Sequence, residues 1–232
     1  MIIFLDTETT GLEDKDKIVS IALVIVNNDK TKNIYELIND GKKIPALASS
    51  INHISNEMIK GKCKIVESEA YKFLQKNNLE STTIIGHNVK FDLEKLSLSG
   101  FDFIGNIIDT LRVTKHLIPE CDIYSLQFLR YELRLYKLEK ETRSAHHALD
   151  DAVLVKRLYE YLLDISNKEE MIKLSFKKVL MQKFAFGKYN GRYIEDISVC
   201  DRGYLEWMCN NIVDLDEDLR YSVNYYLSGE VK

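Results

Sequence analysis

Cysteine is sparse in this sequence, proline sparser still, and no long apolar run occurs. Four cysteines among 232 residues, at positions 63, 121, 200 and 209, form no C-x-x-C pair, which argues against zinc knuckles, and without a secretory signal they do not read as a disulfide framework. The longest apolar run, Ile21 to Val26, falls far short of the roughly 18 residues a membrane helix needs. The N-terminus enters an apolar stretch at once, with no basic region ahead of it. A soluble, cytoplasmic protein with reduced thiols and no membrane partner is expected. Two prolines and ten glycines leave no Gly/Ser-rich or Pro-rich linker, and no repeat stands out at a period of roughly 20–50 residues. Neither sign of charge dominates: the formal net charge of −4 weighs against a protein coated with nucleic acid, yet leaves room for a local basic groove.

What is present is globular in kind. Hydrophobic residues make up 45% and charged residues 29%, near the average for packed domains. The length suits one large domain, or a medium one with a small appendage. Met1 to Asp6, Ile18 to Val26 and Asn33 to Asn39 are apolar or alternating runs that predict three strands in a meander. Helical spacing in Ser68 to Leu79, a buried strand from Thr82 to Gly86, a helix through Leu93 and Leu96, and a short strand Ile107 to Asp109 follow. A helix stopped by Pro119 and two more, at Ser125 to Leu133 and Ala148 to Leu163, complete this part. Strands first as hairpins and then alternating with helices predict an α/β fold, a mixed sheet flanked by helices.

The character changes near Ser166. From there to Tyr193 seven basic residues (Lys168, Lys173, Lys177, Lys178, Lys183, Lys188 and Arg192) face two glutamates, whereas Ile194 to Lys232 has three basic residues against nine acidic. A basic connector over 166–183 and a small C-terminal module over 184–232 are expected. The module interleaves aromatics with cations, a pattern that suits stacking on bases, but its size demands aromatics for its own core, where Phe186, Tyr204 and Trp207 are assigned.

Chemistry concentrates in three segments. Asp6 and Glu8 flank Thr7 at the end of the first strand, and residues two apart in an extended chain point the same way. Converging carboxylates repel unless one is protonated or a divalent cation lies between them. Thr9, Thr10 and Gly11 follow, small residues suited to close approach by a phosphate or ribose. Asp92 stands in GHNVKFD at a helix start, where a lone Asp is usually a cap. Asp151 shares a helical face with Ala148, Ala152 and Val155, so it turns inward, where an unpaired carboxylate is seldom tolerated. Four carboxylates at element ends make a hard oxygen site for Mg²⁺ or Mn²⁺ rather than zinc, suited to in-line phosphoryl displacement with a nearby histidine as base.

These segments resemble a known family. FLDTETTGL, GHNVKFD and HHALDDA are similar to the three motifs of the DEDDh family of 3′→5′ exonucleases, in order and at family-like separations. The resemblance implies an RNase H-like exonuclease fold over 1–165 with a five-stranded sheet, and two divalent metal ions held by Asp6, Glu8, Asp92 and Asp151. It selects His146 over His147 as general base, because the pattern H-x-A-x-x-D places the histidine five residues before the last Asp. The implied partner is nucleic acid, the implied product a nucleoside 5′-monophosphate. The tail, with FGKYNGR at 186–192 and GYLEW at 203–207, resembles the small module of the exodeoxyribonuclease X branch. One departure stands out: where family members often carry His, this chain has Asn52, with His53 next.

Thr9, Thr10, Gly11, Leu12, His87 and Asn88 are the candidate substrate contacts. For Leu12 two readings stand, a core anchor of the turn or a wedge against the terminal base; for His87 and Asn88, support or substrate contact against plain loop hydrogen bonds. His116 reads as a helix-end cap. The favoured substrate is DNA at 3′ ends, single-stranded or overhanging, in repair or end trimming. RNA trimming on the same fold, or a proofreading-type subunit or accessory of a polymerase, are the alternatives; no residue is a decisive 2′-hydroxyl sensor, and no clear clamp-binding peptide occurs.

Overall fold

Period-two alternation sorts one sheet's side chains onto two covered faces. The computed structural model describes residues 1–28, 30–138 and 147–229. Its strands are β1 (Ile2–Thr9), β2 (Ile18–Asn27), β3 (Lys30–Leu37), β4 (Thr83–Gly86) and β5 (Asn106–Asp109). Its α-helices are α1 (Ala46–Asn52), α2 (Glu69–Lys76), α3 (Val89–Ser97), α4 (Thr110–Leu117), α5 (Leu126–Glu132), α6 (Ala148–Leu163), α7 (Lys168–Leu174), α8 (Ile194–Cys200), α9 (Arg202–Asn211) and α10 (Glu217–Ser228). The sheet order is β3-β2-β1-β4-β5. β1 pairs antiparallel with β2 and parallel with β4, so the expected meander and mixed sheet are both present.

Ile3, Leu5, Ile21, Leu23 and Ile84 meet α2 and α3 on one face. Phe4, Ala22, Val24, Ile85 and Ile108 meet α4 to α7 on the other. β1 therefore has neighbours on both edges and layers above and below. Local chemistry fixes the connections: the Glu36 carboxylate accepts from Glu69 and Ala70 N–H at the start of α2, and Asp109 caps α4 through Leu111 and Arg112 N–H. At Gly86 any Cβ would stand 2.7 Å from Val89 and 3.1 Å from the Leu5 carbonyl, so glycine lets α3 start tight against β1.

The segment expected as a connector is partly core. Met171 and Leu174 of α7 are buried in the same cluster as Phe4 and Leu158, and Ser175 accepts from Asp109 N–H. Beyond it, Phe184, Ile194, Leu205, Met208 and Val223 build a separate cluster within α8 to α10. Phe186 and Trp207, assigned to that core by sequence, are about half exposed instead, and Phe184 fills the interior. This module docks on the first through Arg112, which forms a two-point ion pair with Asp218 at 2.8 and 3.1 Å and also donates to the Lys177 carbonyl. His116, at the end of α4, meets that same carbonyl at 3.2 Å.

Candidate active site

β1 delivers two carboxylates to one place. Asp6 lies opposite Ala22 and Glu8 opposite Ser20, on the face that α6 covers, and a register shift between Glu8 and Thr9 ends the pairing. Asp151 enters from the first turn of α6. Carboxylate oxygens of Asp6, Glu8 and Asp151 lie within 4.8 Å of one another. Asp92 arrives from the opposite layer, on the first turn of α3. It is not that helix's cap: Asn88 holds the N-cap position in the left-handed region at φ 65°. Instead the Asp92 carboxylate accepts from the Thr7 hydroxyl at 2.6 Å, which ties α3 to the strand that carries Asp6 and Glu8. The cluster sits at the carboxyl end of β1, beside the end of β4, where adjacent parallel strands leave a crevice.

Burial and mutual repulsion load this cluster. Burial first, then the charges of Asp92, Asp151 and Glu8, hold Asp6 well above the usual carboxylate range. Burial, Asp151 and Asp92 push Glu8 up to about 8. Burial also raises Asp92, against the Thr7 hydrogen bond that favours its ionised form. Crowded, dehydrated oxygen donors of this kind fit a hard divalent cation, which would reverse each of these effects. Gln127 on α5 is a further member of the site that no local sequence pattern marks. Its Nε2 donates to Asp151 at 2.7 Å, while its own oxygen accepts from Arg130 at 3.3 Å, an arrangement that orients the amide. Tyr35 on β3 is a second residue of this kind. Its ring lies 4.6 Å from that of His147, and Glu8 is among the charges it senses.

The remaining candidates divide. Leu12 is 83% exposed, which excludes the core-anchor reading. Thr9 donates to the Gly11 carbonyl at 2.8 Å and holds the turn. Thr10 is buried, and its hydroxyl donates to Asp16 at 2.8 Å, so its side chain faces the protein. His87 likewise has both ring nitrogens engaged, with Thr110 at 3.0 Å and the Tyr124 carbonyl at 2.7 Å. Burial pushes it down to about 4 against that backbone bond; it supports the loop as a neutral ring. The Asn88 side chain is exposed, one turn ahead of Asp92, and its backbone N–H donates to Asp109 at 3.0 Å. Asn52, in the family's histidine place, is buried and donates to the Thr9 carbonyl at 3.3 Å, while His53 ends α1 with φ 58°. His146 lies outside the described residues. His147 starts α6, with Nδ1 3.8 Å from Asp150, beyond hydrogen-bond reach.

Comparison with known proteins agrees with this geometry. Residues 3–159 match the family model described as exonuclease, and residues 184–213 match that of the exodeoxyribonuclease X-like C-terminal region. Exodeoxyribonuclease 10 of Escherichia coli (strain K12) is 30% identical over 236 residues, spanning 99% of this chain and 100% of that protein. DNA polymerase III subunit epsilon of Rickettsia prowazekii is 32% identical over 208 residues, covering 80% of this chain and 87% of its own. Among solved structures, exonuclease X in complex with 5′ overhanging duplex DNA superposes with a TM-score of 0.62 at 25% identity, over 75% of this chain and 99% of that one. The nuclease domain of 3′hExo, a DEDDh family member bound to rAMP, shares the fold at a TM-score of 0.53 and 15% identity, over 71% of this chain and 92% of its own. Among the described residues no helix is long and apolar enough to cross a membrane. The chain belongs to the DEDDh exonuclease family, a metal-dependent group of nucleases with an RNase H-like fold, and carries an exodeoxyribonuclease X-like C-terminal region.

Proposed function

We propose that this enzyme hydrolyses DNA from the 3′ end to nucleoside 5′-monophosphates, in end trimming or repair. The observation that carries this is the convergence of Asp6, Glu8 and Asp151 within 4.8 Å at the carboxyl end of β1. Asp6, Glu8, Asp92 and Asp151 would hold two divalent ions, Mg²⁺ or Mn²⁺; such ions, when bound, stabilise the attacking and leaving oxygens of an in-line displacement. Gln127 orients Asp151, and the Thr7 hydroxyl orients Asp92. His146 takes the proton of the attacking water. Its support is the register of the motif, five residues before Asp151, together with the packing of His147 against Tyr35. Thr9 and Gly11 shape the turn beside the scissile end, Asn88 offers an amide to it, and exposed Leu12 meets the terminal base. The names of exodeoxyribonuclease 10 and of the exonuclease X–DNA complex favour DNA over RNA. Four free cysteines suit a reduced, cytoplasmic setting.

A digestion panel with Mg²⁺ tests the reading: single-stranded DNA, blunt duplex, 3′ overhang, mismatched end and matched RNA, with 3′- and 5′-blocked controls. Mononucleotide release from unblocked 3′ ends of DNA, faster than from RNA and abolished by chelation, is the expected result. Faster release from RNA would overturn the substrate assignment, and release from 3′-blocked strands would overturn the polarity.

A further inference from the structure

An exposed leucine on a surface turn is unremarkable by itself; the way this turn is held is not. Lys95 lies on α3, one turn beyond Asp92, and is only 4% exposed. Its ammonium donates to the carbonyls of both Leu12 and Glu13, within 3.4 Å, and lies 5.2 Å from the centre of the Phe91 ring. A buried ammonium is costly unless its donors are satisfied, and carbonyls in a solvent-facing turn have water available without one. From the other side, the Asp16 carboxylate accepts from the Thr10 hydroxyl at 2.8 Å, the Glu13 N–H at 2.9 Å and Lys42 at 2.6 Å. That carboxylate also occupies the space of the missing Cβ of Gly11, 2.6 Å from where it would stand. The turn's polar groups are thus drawn inward from two sides, and Leu12 is left pointing out.

We propose that Lys95 is a positioning residue: through the carbonyls of Leu12 and Glu13 it fixes the Leu12 side chain beside the carboxylate cluster, and so sets how well the enzyme works on base-paired 3′ ends. This rests on the reading that Leu12 meets the terminal base. A paired end must be unstacked before its last phosphodiester reaches the cluster, whereas a single strand needs no such step. A mobile leucine loses its leverage on the first substrate and little on the second. Because α3 also presents Asp92, one helix fixes the distance between the apolar contact and the acids.

The test uses the full chain with Leu12→Ala, Lys95→Met and the double variant, measuring kcat and KM on a blunt duplex and on the same strand alone. Each single variant is expected to lower the duplex-to-single-strand ratio of kcat/KM about 10-fold, the scale set by loss of one wedge or stacking contact. The double variant should lower it no further. Lys95→Arg, which keeps the donors, should recover part of the ratio. Equal losses on both substrates in Lys95→Met, or losses that multiply in the double variant, would show that Lys95 does not act through Leu12. An unchanged ratio in Leu12→Ala would remove the base-contact reading itself, and the proposal with it. Should Lys95→Met fail to fold, Asp16→Asn, which loosens the same turn from its other side, must shift the ratio in the same direction, and an unchanged ratio there overturns the proposal.

Discussion

Replacing Asp6, Glu8, Asp92 or Asp151 by its amide removes charge and almost no volume, so the fold should survive while cleavage in Mg²⁺ falls by at least about 100-fold. Two such variants with near wild-type rates would refute the four-ligand assignment. The same crowding makes stability depend on pH when no metal is bound. Glu8 ionises near 4.5 when unfolded and near 8 in the fold, so between those values the unfolded chain gives up its proton first, and stability falls as pH rises. Asp6 and Asp92, also raised, add to the same slope. Thermal melts of chelated protein should show Tm falling from pH 5 to pH 8, with Mg²⁺ or Mn²⁺ restoring it most at the upper end. A Tm that rises across that window would contradict the burial of these acids. The two neighbouring histidines are separable by rate. His146→Ala should lose on the order of 10²–10⁴-fold and the acidic limb of its pH–rate profile, while His147→Ala, which removes a ring packed on Tyr35, should change Tm more than rate. Comparable losses in rate would overturn the choice.

Among the elements, α7 decides where the chain can be cut. A truncation after Ile165 discards Met171 and Leu174 from the core around Phe4, a loss of roughly 3–6 kcal/mol for two buried side chains. Ending after Lys178 keeps both, and urea melts should show the longer fragment clearly the more stable; equal midpoints would mean α7 contributes nothing. Sequence patterning anticipated β1, the two buried strands and α6, because each carries an unbroken apolar period. It also anticipated the D-x-E pair and the inward turn of Asp151, since strand and helix geometry alone fix those directions. Gln127, Lys95 and Tyr35 escaped it for a common reason. Their partners are Asp151, the Leu12 turn and His147, which become neighbours only through sheet order and layer packing, and no local spacing records that. Asp92 stands on the first turn of α3, where the sequence places it, and the capping position that a lone Asp there usually takes belongs to Asn88, in the left-handed region. The exposure of Leu12 and the burial of Phe184 in place of Phe186 likewise depend on how turns leave the core.

For the whole molecule, the basic run at 166–193 is weaker as a cationic surface than its composition suggests. Lys183 pairs with Asp122, Lys188 with Asp201 and Arg202 with Glu206, while Arg220 is turned onto the Cys209 and Ile212 carbonyls. Among the described residues of the basic run beyond residue 178, Arg192 is thus the cation left to meet phosphate. On removal of residues 179–232 the slope of log affinity against log salt for a single strand should therefore drop by only about 0.7. A drop of 2 or more would mean that both lysines leave their carboxylates to meet phosphate. The order in which contacts form adds a different consequence. β1, β2 and β3 are consecutive antiparallel neighbours, but β4 reaches β1 only after a long crossover, and Asp151 joins from a helix much further along. Local hairpins form before such distant contacts, so Asp92 and Asp151 are expected to join Asp6 and Glu8 only after the rate-limiting barrier of folding has been crossed. Their repulsion then belongs to the native basin and not to the barrier top. In metal-free chevron measurements Asp6→Asn should slow unfolding and leave the refolding limb where it was; a shifted refolding limb would place the assembly of the cluster early. On this expectation the clustered acids act on the protein as a spring that hastens escape from the native state, which a bound cation would release.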